Sequence, residues 1–174
     1  MDGHIDLTRR FRLLGIDADT EIHINLFKPI LLRHVDTLIE AFYQHLLKTN
    51  DGNRLLGQSD MGALHARQRI HWLRLFSCDL DPDYVRAALH IGDVHYQSGV
   101  APYIYIAGYS FVRSKLTRLA CAHFQEDARL ADILVAITKL TSLDMDLALS
   151  AYTRDAWAHA KMQRPAKHKT VVQI

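Results

Sequence analysis

The sequence has little of what most enzymes and membrane proteins display. Its 174 residues include only two cysteines, four prolines and eight glycines. Cys78 and Cys121 stand far apart, in no metal-type spacing, which fits a reduced, cytoplasmic compartment and two small core-filling side chains. The longest stretch free of formal charge, Val94 to Val112, is broken by His95, Gln97, Ser98, Gly99 and Pro102. Its apolar part, from Val100 on, falls well short of the roughly 20 residues that span a bilayer. Met1-Asp2-Gly3-His4 shows no basic region leading into an apolar one, so no signal peptide is read. There is no glycine-rich phosphate loop, no His-Glu-x-x-His and no paired-cysteine zinc spacing. No catalytic residue is assigned, and the chain itself is not read as an enzyme.

What is present is the balance of an ordinary globular domain, 49% hydrophobic and 23% charged, long enough to bury a sizeable core. The pI near 8.6 suggests a basic protein, yet the excess is local. Residues 151–174 carry Arg154, Lys161, Arg164, Lys167 and Lys169 against Asp155 alone, leaving 16 basic and 18 acidic residues in the body. A nucleic-acid binder is expected to carry basic residues on a folded face, so no nucleic-acid partner is expected. Eleven histidines are the one compositional oddity.

The apolar pattern is helical throughout, with no alternation sustained enough for a sheet. The fold class is all-α. A first helix is expected over Ile5–Leu14, stopping at Gly15, and a second over Asp17–Leu26. Pro29 is expected to open a third, striped by Leu31, Val35, Leu38, Phe42 and Leu46. Asn50-Asp51-Gly52-Asn53 reads as a turn. Asp60 caps a helix running to about Phe76, Asp81-Pro82 starts one closed by Gly99, and Pro102 starts a long one to about Phe124. Asp127 begins the longest, ending near 157–161. Along it Ile133, Ile137, Leu140, Asp144 and Leu147 share a side, widened by Leu134, Thr141 and Met145. That surplus of apolar face predicts a homodimer through the last two helices.

The chemistry narrows to His90-Ile91-Gly92-Asp93-Val94-His95-Tyr96-Gln97-Ser98-Gly99-Val100-Ala101-Pro102. His90 and His95 are about 140° apart around a helix, so they are not expected to face one pocket. His95 shares its face with Ile91 and Ala88. That setting suits a hydrogen-bonded core histidine or an imidazole that ligates a metal through one nitrogen.

Ile91-Gly92-x-x-His95-x-x-x-Gly99-Val100-x-Pro102-x-x-Tyr105 resembles the proximal-histidine segment of the globin-coupled sensors. Phe42-Tyr43-x-x-Leu46 resembles that family's distal tyrosine helix, and Leu64-x-x-x-Gln68-x-x-His71-Trp72-x-x-Leu75-Phe76 its next pocket helix. Ser142-Leu143-Asp144-Met145-Asp146-Leu147 resembles its last helix. The likeness spans residues 5–157. It implies a globin-like fold of about seven to eight helices enclosing a haem, a sensor domain over 1–160 and a basic tail or linker over 161–174. The haem would be a non-covalent haem b, since no Cys-x-x-Cys-His attachment sequence exists.

The resemblance makes His95 the proximal iron ligand and Tyr43 the distal donor to bound dioxygen. Tyr105 becomes an outer partner of His95, and Phe42, Gln68, Trp72, Ile91 and Val100 become pocket residues. For the remaining distal position it leaves Leu64 or, with a shift of one, His65. The function implied is a dioxygen sensor, also open to carbon monoxide and nitric oxide, that controls a C-terminal output. The output would be most like a diguanylate cyclase; chemotaxis transducers and histidine kinases also occur in the family. The alternatives are a free-standing globin that carries dioxygen or consumes nitric oxide, and a haem-free helical interaction domain.

Overall fold

The computed structural model describes residues 6–163, and the side chains of residues 6–153. The described residues form seven helices and no strand: α1 (Leu7–Leu14), α2 (Ala18–Leu47), α3 (Asn50–Leu56), α4 (Met61–Leu75), α5 (Pro82–Gln97), α6 (Pro102–Phe124) and α7 (Leu130–Gln163). Beyond Gln163 the expected basic tail lies outside the described residues; 161–163 belong to α7.

Capping accounts for most of the boundaries. The carboxylates of Asp17, Asp60 and Asp81 accept from the backbone N–H of Thr20, Ala63 and Tyr84, each satisfying a donor the first helical turn leaves open. Gly99 follows α5 at φ 74°, a left-handed conformation that favours glycine and turns the chain toward Pro102.

Three expectations about the elements are corrected. Pro29 does not open a helix but lies inside α2, which runs unbroken past it. The buried stripe Ile24, Phe27, Leu31, Val35, Ile39 and Tyr43 continues across it, whereas Pro29 faces solvent. The carbonyl that loses its partner is that of Asn25, an exposed residue whose oxygen water can reach. The turn at Asn50–Asn53 is the start of α3, capped by Thr49 through its hydroxyl to the Gly52 N–H. Asp127 does not begin α7; its carboxylate holds the backbone and guanidinium of Arg129, and the helix starts at Leu130.

The long last helix is the core of the molecule. It packs against α1, α2, α5 and α6. Ile133, Ile137, Leu140 and Leu147 have 0% exposure and Asp144 1%. The stripe read as a dimer face is therefore covered within the chain, because four helices of the same chain surround α7 where the last two helices of a second copy were expected. Cys78 and Cys121 are both half-buried and unpaired.

α5 meets α7 at Gly92. A β-carbon there would overlap the Ala148 carbonyl oxygen and press on Ala151 Cβ at 2.9 Å. Gly92→Ala is therefore expected to push α5 off α7 and cost about 2 kcal/mol, within the usual range for overpacking. Urea denaturation measures it, and an unchanged midpoint would contradict this reading of the crossing.

Candidate functional site

A cavity of about 280 Å3 opens among α2, α3, α4, α5 and α6, close to the lower end of the roughly 300–1,000 Å3 typical of small-molecule sites. Phe42, Tyr43, Leu64, Gln68, Trp72, Ile91, His95, Val100 and Tyr105 all line it. These nine residues were singled out from the sequence, and the fold brings them together from four helices and the α5–α6 turn. His65 does not line it. A step of one residue turns about 100° around α4, and His65 faces α2 instead, its Nε2 reaching the Asp36 carbonyl at 3.4 Å. Leu64 takes the cavity-facing position.

α5 presents two ridges to the cavity, His90 with Val94 and Ile91 with His95. The expectation that the two histidines cannot share a pocket is thus corrected. The cavity is wide enough to reach the exposed flank of α5, and His90 lies on that rim. His95 lies deeper. Its Nδ1 is 2.7 Å from the Ile91 carbonyl oxygen. A carbonyl can only accept, so Nδ1 carries the proton and Nε2 keeps its lone pair. Burial lowers the His95 pKa, only partly opposed by that hydrogen bond, which keeps the imidazole neutral. Tyr105 was expected as the outer hydrogen-bond partner of His95. It contacts the ring edge-on instead, at 5.1 Å between centroids, and the Ile91 carbonyl, one turn back on the same helix, takes the hydrogen bond.

Tyr43 is 7% exposed and its hydroxyl makes no hydrogen bond among the described residues. Burial pushes this phenol up to about 12, with Arg67 pulling the other way. At neutral pH it is a protonated donor without an acceptor at the cavity wall.

Sequence reasoning missed a polar cluster behind the cavity. Asp144 on α7 accepts from His71 Nε2 on α4 at 2.8 Å, from the Tyr84 hydroxyl on α5 at 2.5 Å and from the Tyr109 hydroxyl on α6. His71 and Tyr109 also line the cavity. Burial pushes the Asp144 carboxyl up, but His71 and the three donated hydrogen bonds outweigh it and hold the pKa below the ordinary carboxylate range. The available signal was Asp144 itself, a carboxylate on an otherwise apolar stripe, which must find donors where it is buried.

The lining fits the haem that the resemblance implies. It offers a neutral imidazole with a free ring nitrogen for iron, aliphatic and aromatic walls for a macrocycle, and a phenolic donor for a polar ligand.

Comparison with known proteins places this geometry. The family model described as Protoglobin matches residues 4–158. A curated relative, the heme-based aerotactic transducer HemAT of Halobacterium salinarum, is 27% identical over 158 residues, covering 84% of this chain. The match covers 32% of that transducer, so the chain spans about a third of its length. Among solved structures, the globin domain of the Geobacter sulfurreducens globin-coupled sensor superposes with a TM-score of 0.77 at 16% identity, over 83% of this chain and 96% of that one. The fold is shared.

Asp144→Asn replaces an all-acceptor group with one that must turn a donor toward existing donors, and is expected to cost about 3 kcal/mol. A carboxyl with a lowered folded pKa adds stability above the unfolded value of about 3.9, and that stability is lost as pH falls through the folded value. Urea unfolding from pH 7 to 3 should show a shallower acid decline in the variant. An equally steep decline would place the acid sensitivity elsewhere.

Proposed function

The chain belongs to the protoglobin family, and we propose that it is a haem-based dioxygen sensor domain whose ligand state controls a C-terminal output. The observation that carries this reading is His95: a neutral, half-buried imidazole on the cavity wall, its Nδ1 proton committed to Ile91. That arrangement fixes the tautomer in which Nε2 is the metal-binding nitrogen.

A non-covalently held haem b would supply an iron able to bind a diatomic gas. His95 would hold that iron from α5, as proximal histidines do in globins. Tyr43 would donate a hydrogen bond from its hydroxyl to a partly negative dioxygen ligand, and carbon monoxide, being far less polar, would gain little. Nitric oxide is a further ligand of the same site. The apolar walls, including Leu64, Ile91 and Val100, exclude water. Phe42 and Trp72, with ring centroids 6.2 Å apart and planes tilted by 58°, would give aromatic walls for the macrocycle, and Gln68 is a further polar group at the lining.

His95 stands in the last turn of α5, and α5 is pinned on α7 at Gly92. A shift of His95 on ligand binding is therefore passed to α7, in the manner of small helix movements at packed contacts. The HemAT relative is named as a transducer, which supports signalling over a free-standing globin. For the output we retain a diguanylate cyclase, on the resemblance of the Asp144-Met145-Asp146 ending to the cyclase-linked members of the family. We also retain a homodimer through the last two helices, supported by the exposure of Ile106 on α6 and Val135 on α7. A cytoplasmic location rests on the two unpaired cysteines; no helix among the described residues is long and apolar enough to cross a membrane.

Absorption spectra of the purified protein in ferric, ferrous and gas-bound states test the haem directly, and acid-acetone should extract all of it. His95→Ala is expected to lose the axial ligand and most of the haem, while His90→Ala keeps the spectrum. The reverse result would move the ligand to His90.

Tyr43→Phe keeps the ring and its packing. It is expected to speed dioxygen release about tenfold, equivalent to about 1.4 kcal/mol, with carbon monoxide release moving much less. Equal effects on both gases would remove Tyr43 as the donor.

A further inference from the structure

The cavity has one way out to solvent. Of the residues that line it, three are exposed: Arg67 on α4, and His90 and Val94 on α5. The opening therefore lies between α4 and α5. Near the loop 76–81 that joins these two helices the gap is shut, because His71 stacks on Tyr84 with planes 10° apart and Arg74 lies over the same Tyr84 ring. Arg67 stands one turn back from His71 along α4, on the side away from that loop.

Arg67 is the one arginine or lysine on the lining, and no carboxylate lines the cavity among the described residues. The other two arginines of α4 are paired, Arg69 with Asp36 at 3.0 Å and Arg74 with Asp81 at 2.6 Å. Arg67 has no carboxylate partner among the described residues. It donates only through Nε, to the Ala63 carbonyl at 3.2 Å. That bond ties the side chain to its own helix and leaves the four N–H groups of the two terminal nitrogens. They lie in the planar fork that grips a carboxylate at two points. The guanidinium is also close enough to the Tyr43 phenol to pull its pKa down against burial, so the charge stands over the cavity.

Resting on the haem reading, we propose that Arg67 anchors a haem propionate at this opening and so fixes which edge of the macrocycle faces solvent. Haem carries two propionate carboxylates on one edge, and a carboxylate without water or a cation is costly to bury. The edge that carries them leaves between α4 and α5, where the lining is open and its one permanent charge is positive. The contact is with the cofactor and not with the gas. It also sets a selectivity: the pocket favours a porphyrin with ionised carboxylates over the same ring with those charges removed. Both partners are partly in water, so salt weakens the contact.

The experiment follows transfer of ferric haem from the loaded protein to excess apomyoglobin, with the spectrum recorded first. Arg67→Leu is expected to lose haem about three- to fivefold faster than the wild type, the size of an ion pair half open to water. High salt should narrow that difference. Arg67→Lys keeps the charge without the two-point grip and should fall between. Arg69→Leu removes equal charge from the same helix, but from a side chain turned to Asp36, and should match the wild type. The second arm loads the dimethyl ester of haem, whose carboxylates carry no charge. Wild type and Arg67→Leu should lose this ester at one rate, whereas a variant that had merely loosened the fold would lose both compounds faster. An unchanged rate of haem loss in Arg67→Leu, or equal acceleration with haem and with its ester, would overturn the anchor. A wild-type protein that takes up neither compound would instead overturn the haem reading on which the anchor rests.

Discussion

Asp144 is the constraint around which the helices are arranged. Moving a carboxylate out of water costs several kcal/mol unless nearby groups replace its hydration, and here the replacements come from α4, α5 and α6 at once. Each hydrogen bond to a charged acceptor contributes about 1.5–3 kcal/mol, so three donors together are of the size needed to offset the burial. Hydrophobic packing tolerates small slides between helices, because apolar surface is buried much the same after the slide. A carboxylate with three directional donors does not. The position of α4, α5 and α6 around α7 is thus set to within hydrogen-bond tolerance at one point, and two of the donor residues, His71 and Tyr109, are also walls of the cavity.

How much of this was legible in the sequence follows from which kinds of signal are local. Helix starts at Asp17, Asp60 and Asp81 depend on a carboxylate and an N–H three residues on, and the sequence displays both. The grouping of Tyr43, Leu64, Trp72 and His95 in one cavity was legible only through family resemblance, since no periodicity relates residues on different helices. Pro29 misled because a rule about proline presumes an internal carbonyl left bare, and the freed carbonyl here belongs to an exposed residue. The apolar side of α7 misled for a related reason. A stripe shows that a helix face is covered but not by what, and the choice between a second copy and four helices of the same chain is made by tertiary contacts that leave no trace in periodicity. Asp144 stood within that stripe and was the one residue arguing for a partner inside the domain.

The central place of α7 also bears on how a pocket event could leave the domain. α5 carries His95 and crosses α7 at Gly92 with no room for a β-carbon, while Tyr84, also on α5, reaches Asp144. The two contacts lie on opposite sides of the α5 midpoint, so α5 is held to α7 at two levels along its length. A helix fixed at two points moves as a body. Under the proposed function, a shift at His95 would be carried into α7 through these contacts, and α7 is the last described helix of the chain.

The same geometry separates two histidines that look alike in the sequence. Both His90 and His95 reach the cavity, so helical angle does not choose between them. Burial and the hydrogen bond to the Ile91 carbonyl set them apart. An imidazole that ligates iron must be neutral, must present one particular nitrogen and must hold its ring still. Burial lowers the His95 pKa and so meets the first need; the Ile91 carbonyl, by claiming the Nδ1 proton, meets the second; and the edge of Tyr105 against the ring meets the third. His90 sits exposed on the rim with no such carbonyl bond among the described residues. The side chain that can act as a ligand is the one whose other atoms are already occupied.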